Sequence, residues 1–133
     1  MVKTSLCAMG LLLASGMSYA AVPDYAGCTE SDYVTIDQPE ITIEFQGSSY
    51  KPACIKVKKG TKVIIPASNR HPLQAAQDFD GVVNPLRLEG ADHRENQTLI
   101  AEMSGFYGYY CTRHADSHDG SGMGGMIWVT DGY

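Results

Sequence analysis

Residues 109–129 read YYCTRHADSHDGSGMGGMIWV, and within them lie a thiol at Cys111, imidazoles at His114 and His118, and a thioether at Met123. The spacing is C-x2-H-x3-H-x4-M, on a glycine-rich stretch between two strand-like runs. Soft sulfur beside imidazole selects copper or zinc over magnesium or calcium, which prefer oxygen. A structural zinc site fits poorly, because such sites draw on paired cysteines at Cys-x2-Cys spacing and this stretch has a single thiol. One Cys, two His and a weak axial Met form the ligand set of a mononuclear copper centre that passes single electrons. One histidine must then come from elsewhere in the chain. His71, after the apolar run Val63-Ile64-Ile65, is the donor the order of elements offers. A lone methionine is a gap-filler far more often than a ligand. The weight lies in the conjunction of the four.

The elements that must hold these residues show a period of two. Ile41, Ile43 and Phe45 alternate with Thr42 and Glu44, and Ile55 and Val57 alternate with Lys56 and Lys58. Lys59-Gly60 then turns the chain into Lys62-Val63-Ile64-Ile65. Residues 97–101, 106–111 and 126–130 are further strand candidates. Residues 69–96 read as a long irregular connection with one helical turn near Gln74 to Asp78, and a loop of that length inside a small β domain implies a function. Short strands separated by turn signals predict an antiparallel sandwich. Tyr107, Tyr109, Tyr110 and Trp128 are expected to pack it, Met103 and Met126 to lie in its core, and His93 to sit on a solvated loop.

The chain has 133 residues, 15 acidic and 10 basic, for a net charge of −5, with 44% hydrophobic and 19% charged residues. This suits one domain with a real core and argues against binding nucleic acid, whose phosphates are held by clustered Lys and Arg. Residues 1–20 read as a secretory signal peptide: Lys3 is the positive region, residues 6–14 the short apolar run, and Ser18-Tyr19-Ala20 the small-residue cleavage site. A single domain over residues 21–133 then remains, with charge −6 and no stretch fit to enter a membrane. Export, in a bacterium to the periplasm, leaves three cysteines in an oxidising compartment. Cys111 lies among metal-binding residue types, so Cys28 and Cys54 are the expected disulfide. Cys54 shares its face with Lys56 and Lys58, which places the bridge on the outer face or edge of a sheet.

The strand ending in YYC, the His-containing loop, the Gly-Met-Gly before the last strand and the separate upstream His together resemble the cupredoxins, the plastocyanin, pseudoazurin and azurin family of blue copper proteins. Residues 50–65 (YKPACIKVKKGTKVII) are similar to that family's strand–turn–strand, and the likeness runs over residues 41–129. It implies an all-β, Greek-key β-sandwich with one mononuclear type 1 copper cycling between Cu(II) and Cu(I). His71, Cys111 and Met123 match the family's upstream histidine, thiolate and axial methionine. The second histidine stays open between two residues. The C-x2-H spacing selects His114 and the H-x4-M spacing selects His118, with YYCTRH favouring His114 and leaving residues 116–122 as an insertion. That insertion is expected to bring Asp116 and Asp119 near the metal, where negative charge favours Cu(II). Pro72 stands where several relatives place an Asn.

The resemblance implies a one-electron carrier rather than an enzyme. Its partners would be redox proteins, a cytochrome or a reductase or oxidase, met through a basic docking patch by this chain's surplus of acid. Two alternatives remain: a copper-handling chaperone or resistance protein, and a red-copper-like site that binds a small molecule. Four histidines do not supply a three-copper cluster.

Overall fold

The computed structural model describes residues 21–132; the expected signal peptide lies outside them. After a 3-10 turn at Glu30–Asp32, ten strands follow among the described residues. They are β1 Val34–Thr35, β2 Glu40–Thr42, β3 Glu44–Phe45, β4 Tyr50–Lys51, β5 Cys54–Lys58, β6 Lys62–Ile65, β7 Leu73–Ala75, β8 Gln97–Ile100, β9 Gly105–Ala115 and β10 Gly122–Thr130. One sheet has the order β1-β5-β10-β9-β7, a second β2-β6-β8, and β3-β4 form a hairpin. Passing from β5 to β8, the chain alternates between the two larger sheets, and their inner faces enclose the core. Ile55, Val57, Ile65, Leu73, Tyr109 and Ile127 anchor that core, each almost fully buried. The fold is an all-β sandwich of the expected class.

Pairing is mixed rather than antiparallel throughout. β5 runs parallel to both β1 and β10, and β2 parallel to β6. Alternation of apolar side chains reports one buried face and carries no strand direction, so this feature lay beyond the period-two pattern.

The expected helical turn near Gln74 is instead strand β7, which pairs antiparallel with β9. Leu73 and Ala75 are buried and Gln74 between them is half-buried, a period of two over three residues. That is too short to stand out from the sequence. His93 is half-buried and tied down rather than free on a solvated loop. Its backbone exchanges hydrogen bonds with Leu73 at 2.9 Å, and its ring Nε2 lies 2.7 Å from the Leu86 carbonyl. It bolts the long connection to β7. Met103, expected in the core, is 61% exposed, whereas Met126 is fully buried.

A second apolar cluster covers the outer face of the five-stranded sheet. Tyr25, Cys28, Ala76, Phe106 and Met126 form it, with Tyr33, Phe79 and Trp128 packed against it. Cys28 and Cys54 are disulfide-bonded with a Cα separation of 5.8 Å. The bridge fastens residues 21–33 to β5 on this outer face, as the position of Cys54 beside Lys56 implied. Among the described residues no helix is long and apolar enough to cross a membrane.

Candidate metal centre

The β9–β10 ladder holds an interruption at which three of the four sulfur- and imidazole-bearing residues of the C-x2-H-x3-H-x4-M stretch sit. Tyr110 pairs with Gly124, and the next registered pair is Ala115 with Gly122. Cys111, Thr112, Arg113 and His114 therefore bulge opposite Met123 alone. Bulges re-aim side chains and end regular pairing, which is what a site at the end of a sandwich requires. Gly122 has φ +92, and a Cβ there would collide with the carbonyl oxygen of His114. Glycine is needed for β10 to approach so closely.

On its other side Cys111 registers with Leu73 of β7, and the Thr112 N–H donates to the Pro72 carbonyl at 3.0 Å. This pairing delivers His71. The His71 N–H donates to Ser68 Oγ at 3.0 Å, and the Ser68 N–H donates back to the His71 carbonyl at 3.1 Å. Residues 68–71 are thus closed on themselves before β7 begins. Asn69 turns away, its side-chain and backbone oxygens each 3.4 Å from an Arg94 nitrogen.

Cys111 Sγ lies 3.8 Å from His71 Nδ1 and 3.4 Å from His114 Nδ1. The three donor atoms fall within 4.8 Å of one another, and among the described residues they are the group suited to a metal ion. Cys111 is a free, fully buried thiol, and Met123 is fully buried in the same apolar cluster. His71 is only 8% exposed, whereas His114 is exposed. Burial chiefly, then the neighbouring His114 and Arg70, lower the His71 pKa, which favours the neutral imidazole that a metal requires. Two imidazole nitrogens, a thiol and a thioether fit copper by ligand softness.

Aromatic rings enclose the inner side. Phe45 lies 4.8 Å from the His71 ring, Tyr50 lies 4.9 Å from Tyr109, and the two imidazole rings are 5.0 Å apart. The hydroxyls of Tyr50 and Tyr109 are buried without a hydrogen-bond partner, and burial raises both phenols well above the ordinary range. Outward, Gly47, Ser48, Arg70, His71 and His114 line a depression of about 290 Å³. Phe45, Ser68 and Arg70 were not singled out from the sequence. Of these only Ser68 carried a signal, a hydroxyl three residues before His71.

His118 is not brought to the other three. It is exposed, its N–H donates to Asp116 Oδ1 at 2.8 Å, and its carbonyl accepts from Gln77 Nε2 at 3.0 Å. It borders a separate cleft of about 580 Å³ with Gln74, Gln77, Arg87 and Tyr110. Asp116 and Asp119 both close the turn: the Asp119 carboxylate accepts the Ser121 N–H at 2.9 Å, which holds its pKa below the usual range.

No family model and no curated protein matches the chain. Solved structures do. A pseudoazurin from Methylobacterium extorquens AM1 is 17% identical with a TM-score of 0.51, over 69% of this chain and 76% of that one. A copper-containing nitrite reductase from Thermus scotoductus SA-01 is 20% identical with a TM-score of 0.50, over 77% of this chain. The match covers 29% of the reductase, so this chain corresponds to less than a third of it. At these identities the likeness concerns the fold, and the fold is cupredoxin-like.

Proposed function

We propose that this cupredoxin-like chain is an exported one-electron carrier in which His71, Cys111, His114 and Met123 would hold a single mononuclear copper. The observation that carries the reading is the convergence of two imidazole nitrogens and a buried free thiol within 4.8 Å, at an interruption of the β9–β10 ladder. Copper bound there supplies a Cu(II)/Cu(I) couple that exchanges single electrons.

The residues of the chain do the rest. Cys111 must shed its proton to become a ligand, and its position away from water keeps the thiolate from competing chemistry. Ser68 fixes the His71 backbone and Phe45 lies 4.8 Å from its ring, so the residue is positioned before any metal arrives. β7, β9 and β10 clamp the donors between two ladders, which limits the reorganisation that would accompany a change of charge. The exposed His114 is where the site reaches the surface, and the depression beside it offers a redox protein an approach. The Cys28–Cys54 bridge supports export, in a bacterium to the periplasm, since disulfides persist in oxidising compartments.

Burial of Cys111 and Met123 favours retention of the metal over delivery, and therefore a carrier over a copper-handling protein. Voltammetry of the copper-loaded chain tests this. A reversible couple of one electron per chain, with Cu(I) released slowly to a competing chelator, is expected. Release to the chelator within the mixing time, or no reversible couple, would overturn the carrier reading.

A further inference from the structure

Residues 21–33 run over the outer face of the five-stranded sheet, and residues 25–26 lie beside the turn that separates His114 from Met123. Ala26 and Gly27 both adopt left-handed backbone angles, φ 55 and 68, which turn the chain sharply at this point of the strap. There the Ala26 N–H donates to the Asp119 carbonyl at 2.6 Å. Tyr25, fully buried, packs its ring edge-on to Phe79 at 5.7 Å and against Ala76 in the outer cluster. Its ring also fills the space above Gly120 and Gly108. A Cβ at Gly120 would stand 2.5 Å from the tyrosine ring, and one at Gly108 3.1 Å from it.

The turn itself is closed by the Asp116 N–H donating to the Ser121 carbonyl and the Gly120 N–H to the Asp116 carbonyl. Asp116, Ser117, His118, Asp119, Ser121 and Gly122 are all exposed, and Gly120 alone of residues 116–122 is buried. Tyr25 covers it on the side a Cβ would occupy, and β10 at Gly124 packs against its backbone. Three residues after Tyr25, Cys28 is tied covalently to β5.

We infer that Tyr25 is a positioning residue for the metal centre, fixing the turn between His114 and Met123 by covering Gly120, with the Cys28–Cys54 bridge holding Tyr25 in place. The inference deepens the copper reading and rests on it. The strap acts through the backbone that joins two of the donors. The tyrosine hydroxyl has no hydrogen-bond partner, so the ring does the positioning.

Two measurements on Tyr25→Ala, Tyr25→Phe and the double variant Cys28→Ser/Cys54→Ser test it. Amide exchange of Asp116 and Gly120 in the metal-free chain should quicken about tenfold in Tyr25→Ala and in the double variant, through local opening. The sulfur-to-copper absorption of the Cu(II)-loaded chain should shift in both, with a changed reduction potential. Tyr25→Phe should match the wild type in every readout. Leu99→Ala, a core change on the smaller sheet, should lower stability and move neither readout. Unchanged exchange, or faster exchange with an unaltered spectrum, would overturn the inference. If Tyr25→Ala does not fold, the double variant carries the test alone. A wild type that takes up no copper would overturn the metal reading, while amide exchange still decides whether Tyr25 holds the turn.

Discussion

Cys111 is free, fully buried and 3.4 Å from the His114 ring nitrogen. A thiol in that position is a ligand or a core residue, and the two imidazoles beside it favour the ligand. Replacing His114 and His118 separately by alanine distinguishes the two histidines that the sequence spacing left open. His118→Ala should keep the visible absorption of the copper-loaded chain, because its ring borders a different cleft. His114→Ala should abolish it. Loss of colour in both, or in His118→Ala alone, would show that the turn rearranges on metal binding. Ser68→Ala should weaken the preorganisation of His71 by removing one hydrogen bond to its N–H, at about 1 kcal/mol in urea unfolding.

At the scale of elements, the long connection between β7 and β8 is ordered by specific polar contacts. Gln74 Nε2 donates to the carbonyls of Leu88 and Ala91, and Asn84 Nδ2 donates to the Gly108 carbonyl at 2.7 Å. Asp78 accepts the Asn84 N–H and pairs with Arg87, and these two contacts, the backbone bond first, hold its pKa below the usual range. A carboxylate with a lowered folded pKa contributes stability above its unfolded pKa, near 4, and loses it as pH falls through the folded value. Asp78→Asn should therefore lower stability at pH 7 and narrow its gap to the wild type below about pH 4, measured by denaturant midpoints. The Cys28–Cys54 bridge, which closes a sequence separation of 26, belongs to the same scale. Removing it should lower unfolding free energy by about 3–4 kcal/mol.

Legibility from sequence divided along physical lines. Strand β5 alternates cleanly, β6 is a short apolar run after the Lys59-Gly60 turn, and the donors stand out because soft and imidazole ligands rarely crowd one segment. β7 was hidden because three residues carry too little periodicity. The ends of β9 and β10 were hidden because Arg113, His114 and the Gly-rich run have weak strand preference and are held by pairing across the bulge. The strap over Gly120 was invisible for a further reason: the contact between Tyr25 and Gly120 joins residues 95 positions apart, and neither is unusual where it stands.

For the molecule as a whole, the sandwich is the frame that brings residues from 68–71, 111–114 and 123 to one place. Its core should be sensitive to truncation, and Ile127→Ala at full burial should destabilise by about 2–5 kcal/mol in denaturant unfolding. The surplus of acid acts at longer range. Electron exchange with a basic partner should slow as ionic strength rises from about 10 to 150 mM, over which the screening length falls from about 30 to 8 Å. A rate insensitive to salt in stopped-flow measurements would mean that contacts at the Arg70–His114 depression govern docking. The copper site itself is decided by the visible and electron-spin-resonance spectra of the chain loaded with Cu(II). Intense sulfur-to-copper absorption at one copper per chain, absent from Cys111→Ala, is expected. A pale spectrum identical in the wild type and in Cys111→Ala would contradict it.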